Sequence, residues 1–189
     1  MMSAQDPRNK FKTSDYDQQE QELPGLQSKM TPQPDCGETS YKGHERLKGY
    51  KMLVTGGDSA IGRAAAIAYA KEGADVAINY LPSEEEDAQE VKQVIEDAGQ
   101  KGILIPGDLR DEQFNYDMVE TAYNELGGLD NVTLVAGHQQ YHDDIHGFNT
   151  EAFAETFETN VYPVFWTVQK ALEYLKPGSS ITTTSSVQG

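Results

Sequence analysis

The 189-residue sequence contains one cysteine, one tryptophan, and 15 lysines and arginines against 31 aspartates and glutamates. A single cysteine, Cys36, excludes an internal disulfide and suits a reducing compartment such as the cytoplasm. The shortage of basic residues leaves a formal net charge of −16, so binding to nucleic acid or to anionic membranes is not expected. The composition therefore indicates a soluble cytoplasmic protein.

Long apolar runs are also missing. No stretch approaches the roughly 20 apolar residues of a membrane-spanning helix, and the opening residues 1–7 lack the apolar segment of a secretory signal. Residues 1–45 are rich in polar residues and proline and poor in branched aliphatic residues, so they cannot build a core of their own. We expect them to form an extended polar arm that packs along the folded domain, residues 46–189, or across a neighbouring subunit.

From Tyr50 onward, short apolar runs alternate with stretches of helical periodicity. Strands are predicted at 51–55, 75–80, 102–106, 129–135 and 180–184. Helices are predicted at about 63–72, 83–98, 111–126 and 150–176. Pro163 should kink or split the last helix, which offers these apolar residues to the core: Phe153, Phe157, Val161, Val164, Phe165, Val168 and Leu172. The alternation predicts an α/β fold with a doubly wound, mostly parallel sheet.

The most informative segment joins the first strand to the first helix. The apolar strand breaks into Gly56-Gly57-Asp58-Ser59-Ala60-Ile61-Gly62, and an alanine-rich helix follows. Glycines allow a sharp turn and the close approach of a ligand, while the N–H groups and dipole of a helix N-terminus favour an anion. The segment therefore predicts a pyrophosphate site over residues 56–62, at the carboxyl ends of the strands.

The spelling of this turn, Thr55-Gly56-x-x-x-Ala60-Ile61-Gly62, resembles the short-chain dehydrogenase/reductase family, whose turn reads Thr-Gly-x-x-x-Gly-x-Gly. Ala60 replaces the middle glycine, and an alanine fits there if its φ is negative. The resemblance covers about residues 38–189. It implies a Rossmann-like sheet of order 3-2-1-4-5 and a nicotinamide cofactor, NAD or NADP.

The sequence is most similar to a bacterial subgroup of that family, the general stress and uncharacterised oxidoreductases with an N-terminal extension. Members of this subgroup carry a Pro-Gly element in the extension, here Leu23-Pro24-Gly25. Their sequences also contain Val-Ala-Gly, here Val135 to Gly137, where other members have Asn-Asn-Ala-Gly. The second Asn of that motif normally braces the central strand, so with Val135 the polar brace must be absent or supplied from elsewhere.

The resemblance implies a set of cofactor contacts spread over the strand ends. They are Gly56, Asp58, Ser59, Ala60, Ile61, Gly62, Asn79, Tyr80, Asp108, Leu109, Ala136 and Gly137. Asp108 matches the family Asp beside the adenine ring, although an aspartate in a turn leading to a helix is the alternative. The second strand ends in Asn79-Tyr80, without the carboxylate of many NAD-preferring members, and no arginine is placed to meet a 2′-phosphate. The choice between NAD and NADP stays open.

Two further residues match the family's catalytic set. Ser186 aligns with the serine that orients the reacting carbonyl or alcohol, and Asn160 aligns with the asparagine that supports a proton relay. A strand-end serine and a mid-helix asparagine are the alternatives. The family's Tyr-x-x-x-Lys motif, which supplies the acid/base and lowers its pKa, occurs nowhere in the sequence.

The sequence ends at Gly189, three residues past Ser186. We therefore expect a C-terminally truncated family member that lacks the last strands and leaves strand five as an exposed edge. The resemblance implies an NAD(P)-dependent oxidoreductase for the parent protein, acting on a small alcohol or carbonyl substrate and assembling as a homotetramer or dimer. The chain alone is expected to be inactive. The alternative is a non-catalytic nucleotide-binding or assembly module.

Three histidines suggest a metal site as a separate hypothesis. His138, His142 and His146 lie four residues apart, with Asp143 and Asp144 between them. This spacing would align the rings on a helix, but the neighbouring glycine and the position after the fourth strand favour a loop. No metal is predicted.

Overall fold

A single sheet of five parallel strands organises the computed structural model, which describes residues 18–139 and 143–186. The strands are β1 (Lys51–Thr55), β2 (Asp75–Tyr80), β3 (Gly102–Pro106), β4 (Asn131–Leu134) and β5 (Ser180–Thr183). Their order across the sheet is β3-β2-β1-β4-β5, so the predicted fold class is confirmed. The first three strands have the predicted bounds, and β4 is shorter than the predicted 129–135.

Helices cover both faces of the sheet. They are α1 (Ala60–Lys71), α2 (Glu85–Asp97), α3 (Glu112–Leu126), α4 (Thr150–Asn160) and α5 (Tyr162–Ala171). The predicted split near Pro163 is confirmed: α4 and α5 are separated at Val161, and the proline lies in the first turn of α5, where its missing N–H costs no helical hydrogen bond.

Each face of the sheet has its own apolar core. On one face, Met52 and Val54 pack with Val76, Val91 and Ile95 beneath α1 and α2. The other core, beneath α3 and α5, includes Leu53, Ala77, Met118, Val119, Leu126 and Val132. Because successive residues of a strand point to opposite faces, both faces of β1 and β2 are buried, which explains their nearly continuous apolar sequences.

The apolar stripe assigned to the core from α4 and α5 is mostly exposed, so that expectation is wrong. Only Val164 and Val168 pack against the core. Five residues are exposed: Phe153, Phe157, Val161, Phe165 and Leu172. The physical reason is that α4 packs chiefly against α5 and buries none of its own residues. The neighbouring β5 is also largely exposed, as expected of an edge strand.

The segment that leads to β1 is fastened to the C-terminal end of α1 by one carboxylate. Glu72 accepts hydrogen bonds from the N–H groups of His44 (2.9 Å) and Arg46 (3.0 Å), from the Arg46 guanidinium (2.6 Å) and from the Tyr41 hydroxyl. These bonds, above all those from the guanidinium, hold the pKa of Glu72 well below its usual range. The neighbouring Lys71 adds ammonium hydrogen bonds to three carbonyl oxygens of residues 37–41.

Replacing this carboxylate should destabilise the fold in a pH-dependent way. Because the pKa of Glu72 is lower in the folded state, its contribution is present above the ordinary glutamate pKa of about 4.3 and is lost as the pH falls below it. We expect Glu72→Gln to lower the melting temperature at about pH 7, with a difference from the wild type that shrinks below about pH 4. Thermal unfolding followed by circular dichroism measures it.

The matched control is Glu96→Gln, which removes an exposed i,i+4 pair with Lys92 at 3.7 Å and should change the melting temperature little at any pH. A Glu72→Gln deficit that stays constant from neutral to acidic pH would contradict the assigned role of the charge.

Candidate functional site

A cavity of about 610 Å³ opens at the carboxyl ends of the strands. It is lined by every residue predicted to contact a cofactor except Gly62, namely Gly56, Asp58, Ser59, Ala60, Ile61, Asn79, Tyr80, Asp108, Leu109, Ala136 and Gly137. These residues come from four different strand ends, which a parallel sheet brings to one edge. The structure therefore gathers the predicted set into one place.

The turn is packed so closely at its glycines that a side chain is excluded at those positions. A Cβ on Gly62 would lie 1.9 Å from the carbonyl oxygen of Gly56, and a Cβ on Gly56 would lie 3.0 Å from Cα of Ala136. Gly56 also has a φ of +60°, in the region that favours glycine. Gly62 thus shapes the turn from below and does not line the cavity.

Ala60 departs from expectation. Its φ is +45°, so the expected negative φ is wrong, and an alanine occupies a left-handed conformation that normally suits glycine. Its N–H donates to Oε1 of Gln27 at 2.7 Å. A residue from far earlier in the sequence therefore holds this position.

The cavity is acidic where β2 ends. Asp58 is 2% exposed, and its Oδ2 has no hydrogen-bond partner among the described residues; burial raises its pKa. The half-buried Glu84 accepts the N–H of Leu81 at 3.2 Å. Desolvation, together with the charge of Asp58, raises the pKa of Glu84 to about 7. One buried carboxylate oxygen is thus left without a protein partner at the cavity wall.

Asn79 and Tyr80 line the cavity, but their polar groups are engaged by the protein. The Asn79 amide donates to the carbonyl oxygens of Ile105 (3.2 Å) and Gly107 (3.1 Å), which ties the end of β2 to the end of β3. The Tyr80 hydroxyl donates to Glu85 at 2.5 Å. Both residues are almost fully buried, so they shape this wall mainly by position.

Asp108 is paired with an arginine that the sequence analysis did not single out. Its carboxylate accepts hydrogen bonds from the N–H of Arg110 (2.9 Å) and from the Arg110 guanidinium (2.6 Å), which lower the pKa of Asp108. Arg110 also contacts Glu155 at 3.4 Å, and both residues line the cavity. Arg110 lies two residues after Asp108, and Glu155 lies on α4. Neither position has a local sequence pattern that indicates a place in the cavity wall.

Thr55 braces the segment after β4. Its hydroxyl oxygen accepts the N–H groups of Val135 (3.1 Å) and Ala136 (3.3 Å), which joins the end of β1 to that segment. Because Thr55 belongs to the turn motif shared with family members that have the Asn, this link is separate from the brace that Val135 lacks.

Asn160 holds the next residues in place. Its side chain accepts the N–H of His138 and donates to the His138 carbonyl oxygen, both at 2.7 Å. Asn160 does not itself line the cavity, whereas His138 does, with an Nε2 that is buried and has no partner among the described residues. The sequence pattern indicated His138 only as a possible metal ligand, although its position directly after Val-Ala-Gly is a signal that it lies at the cavity.

Ser186 lies outside this cavity. It is exposed and follows β5, which ends at Thr183, and it does not line the cavity walls. The metal hypothesis finds no support in the described residues, where no group of three or more His, Cys, Asp or Glu could hold an ion; His142 lies outside those residues.

The comparison with known proteins matches the part of the chain that begins with β1. A family model described as short chain dehydrogenase matches residues 51–189. The chain belongs to the short-chain dehydrogenase family. Among curated relatives, the uncharacterized oxidoreductase YghA of Escherichia coli (strain K12) is 56% identical over 188 residues, covering 100% of this chain and 64% of that protein. The predicted family and subgroup are confirmed. The chain spans 64% of this relative's length.

Solved structures of the family show the cofactor class. A short chain dehydrogenase from Burkholderia cenocepacia J2315 in complex with NADP is 36% identical with a TM-score of 0.70, over 75% of this chain and 57% of that one. Carveol dehydrogenase from Mycobacterium avium in complex with NAD is 25% identical with a TM-score of 0.70, over 75% and 56%. The predicted cofactor class, NAD or NADP, is thus confirmed for the family.

Within the described part of the chain, no helix is both long and apolar enough to cross a lipid bilayer.

The Thr55 brace can be tested with two conservative replacements. Thr55→Val keeps the shape but leaves two N–H groups without their acceptor, so we expect a loss of about 1–3 kcal/mol in the free energy of unfolding. Thr55→Ser keeps the hydroxyl and should lose clearly less. Urea unfolding measures both. Equal losses in the two variants would show that the hydroxyl contributes no more than the methyl group, which contradicts the assigned role of the two hydrogen bonds.

Proposed function

We propose that this domain binds NAD or NADP and serves an oxidoreductase that interconverts an alcohol and a carbonyl compound. The observation that carries the proposal is the turn from β1 into α1, where Gly56, Gly57 and Gly62 leave no room for a Cβ and bring the backbone close to the cavity. The same turn holds Asp58, whose Oδ2 has no hydrogen-bond partner among the described residues. A backbone cradle and a buried acceptor are what a pyrophosphate and a neighbouring ribose hydroxyl need.

The residues present fit a dinucleotide. The turn of residues 56–62 would hold the pyrophosphate, with Asp58, Asn79 and Tyr80 at the adenosine ribose. Asp108 and Leu109 would border the adenine, and Ala136 and Gly137 would leave room on the nicotinamide side. When bound, the nicotinamide ring supplies or accepts the hydride.

The catalytic roles follow from the resemblance and stay proposals. Ser186 would donate a hydrogen bond to the substrate oxygen. Asn160 would fix the backbone of His138 beside the reacting groups, which its two 2.7 Å hydrogen bonds support. A tyrosine and lysine in the family spacing are not in this sequence, so the acid/base step needs groups beyond those described here.

A second candidate function is a non-catalytic nucleotide-binding or assembly module, which the cavity at the strand ends would serve equally well. We further propose a division into an arm, residues 1–45, and a dinucleotide-binding domain, residues 46–189. A cytoplasmic location suits the lone thiol of Cys36, because a reducing compartment keeps it unoxidised.

Binding is tested by calorimetric titration of the 189-residue chain with NAD, NADP and ADP. We expect saturable binding of at least one dinucleotide. Gly62→Ala should weaken it by at least about tenfold, since the new Cβ forces the turn away from its present shape. Gly147→Ala is the control, because a Cβ there meets nothing within 4 Å.

The same samples separate the two functions. Dinucleotide binding without turnover of a panel of aldehydes and alcohols would favour the module for this chain, while clear turnover would show that another group acts as acid/base. Failure of every dinucleotide to bind the folded wild type would overturn the proposal as a whole.

We propose that the exposed aromatic strip on α4 and α5 is the self-association surface. Neighbouring rings along it, Phe153, Phe157, Tyr162 and Trp166, have centroids 4.8–6.5 Å apart. Exposed apolar patches of this kind mark interfaces. The resemblance implies a homotetramer or dimer formed through these helices.

Placing charges in this strip should prevent assembly. We expect the intact protein with Phe153→Glu and Phe157→Glu to shift from dimer or tetramer to monomer, because buried carboxylates without partners are strongly unfavourable. Light scattering coupled to gel filtration measures the mass. Tyr50→Glu changes an exposed aromatic residue outside the strip and should leave the mass unchanged. Unaltered mass in the double variant would place the interface elsewhere.

A further inference from the structure

Three residues of the polar arm line the cavity. Leu23, Pro24 and Gly25 share its wall with Tyr80 and Leu81 at the end of β2 and with residues 107–110 after β3. This is the part of the cavity assigned above to adenosine. The arm residues there are apolar, and an apolar wall suits the face of an adenine ring.

This piece of the arm is anchored on the domain by a buried carboxylate. The N–H groups of Gln27 (2.6 Å) and Ser28 (3.1 Å) both donate to Asp87, which is fully buried in the first turn of α2. On the other side, the Gln21 side chain accepts the N–H of Leu26 (2.9 Å) and donates to its carbonyl oxygen (3.0 Å). Residues 23–25 are thus enclosed in a short loop closed by Gln21 and Leu26, and the next two residues, Gln27 and Ser28, anchor that loop on the domain.

Gln27 also reaches the glycine turn. Its Oε1 accepts the N–H of Ala60 at 2.7 Å, and its amide contacts Cys36. Gln27 is 6% exposed and does not line the cavity, whereas Ala60 does. The hydrogen bond therefore holds Ala60 from behind the wall and does not occupy the space of a ligand.

The hydrogen bond between Ala60 and Gln27 compensates for an unfavourable backbone conformation at Ala60. Ala60 has a φ of +45°, which is unfavourable for a residue with a Cβ. A buried acceptor bonded to its N–H stabilises that conformation, and the acceptor is delivered by the arm.

We propose that residues 23–27 are an integral part of the dinucleotide site: Leu23 to Gly25 form the wall at the adenosine end, and Gln27 is a positioning residue for Ala60. The inference rests on the proposed function. A ligand contacts residues 23–25 only when the arm is docked on the domain. Ligand binding and arm docking therefore raise each other's equilibrium constants by the same factor.

Calorimetry on the full chain tests the positioning role with NAD, NADP and ADP as probes. Gln27→Met keeps the length of the side chain and removes the acceptor, so affinity should fall roughly three- to tenfold for each probe that the wild type binds. The control, Gln93→Met, makes the same change on the exposed face of α2, where Gln93 bonds only Asp97, and should bind like the wild type. In an Ala60→Gly background, where glycine adopts the positive φ by itself, the effect of Gln27→Met should shrink.

Hydrogen exchange gives a second measurement that needs no variant. Saturating dinucleotide should slow exchange of the amides of Leu26 to Ser28 in the wild type. If no dinucleotide binds the wild type, the proposed function fails. If one binds, but Gln27→Met matches Gln93→Met and the arm amides exchange at the same rate with and without ligand, the role of the arm alone is overturned.

Discussion

One turn of backbone determines where everything else in this domain can lie. Gly62 rests on the Gly56 carbonyl oxygen, and a Cβ on Gly57 would come within 2.5 Å of Ile78 in β2. On the other side, Gly56 touches Ala136 after β4. A single turn therefore contacts β1, β2 and the segment after β4, and a side chain at Gly56, Gly57 or Gly62 would force these parts of the structure apart. The same tightness brings the main chain of the turn close to a ligand in the cavity.

Buried carboxylates away from the cavity have hydrogen-bond partners, whereas, in the described part of the chain, one at the cavity wall does not have its full set. Glu72 and Asp87 are buried carboxylates whose oxygens accept several hydrogen bonds, which makes their burial tolerable. Asp58 keeps an oxygen without a partner in the described structure, and Glu84 next to it titrates with a pKa of about 7. In a chain of net charge −16, the least satisfied buried charge thus lies where a polar ligand would enter.

Local patterns predicted the sheet well, because an apolar run bounded by glycine and polar residues leaves little choice for β1, β2 and β3. Partners distant in sequence were beyond such patterns. Periodicity places Phe153 and Phe165 on one stripe of a helix but cannot tell whether that stripe meets the sheet or the solvent. Likewise, the family glycine that Ala60 replaces hints at a positive φ, but the partner that stabilises it, Gln27, is 33 residues away and has no local signal. The Thr55 brace was missed for the same reason, being 80 residues from Val135.

The docking of the arm also has a consequence for biosynthesis. Residues 23–28 leave the ribosome early, yet their anchor, Asp87, lies 60 residues after Gln27. The arm therefore stays undocked until β2 and the first turn of α2 have been synthesised and have folded. Closing so long a loop costs entropy before any contact is gained. The first part of the wall to be translated thus cannot dock when it is made, so a nascent chain cannot have a finished adenosine wall before the first turn of its second helix exists.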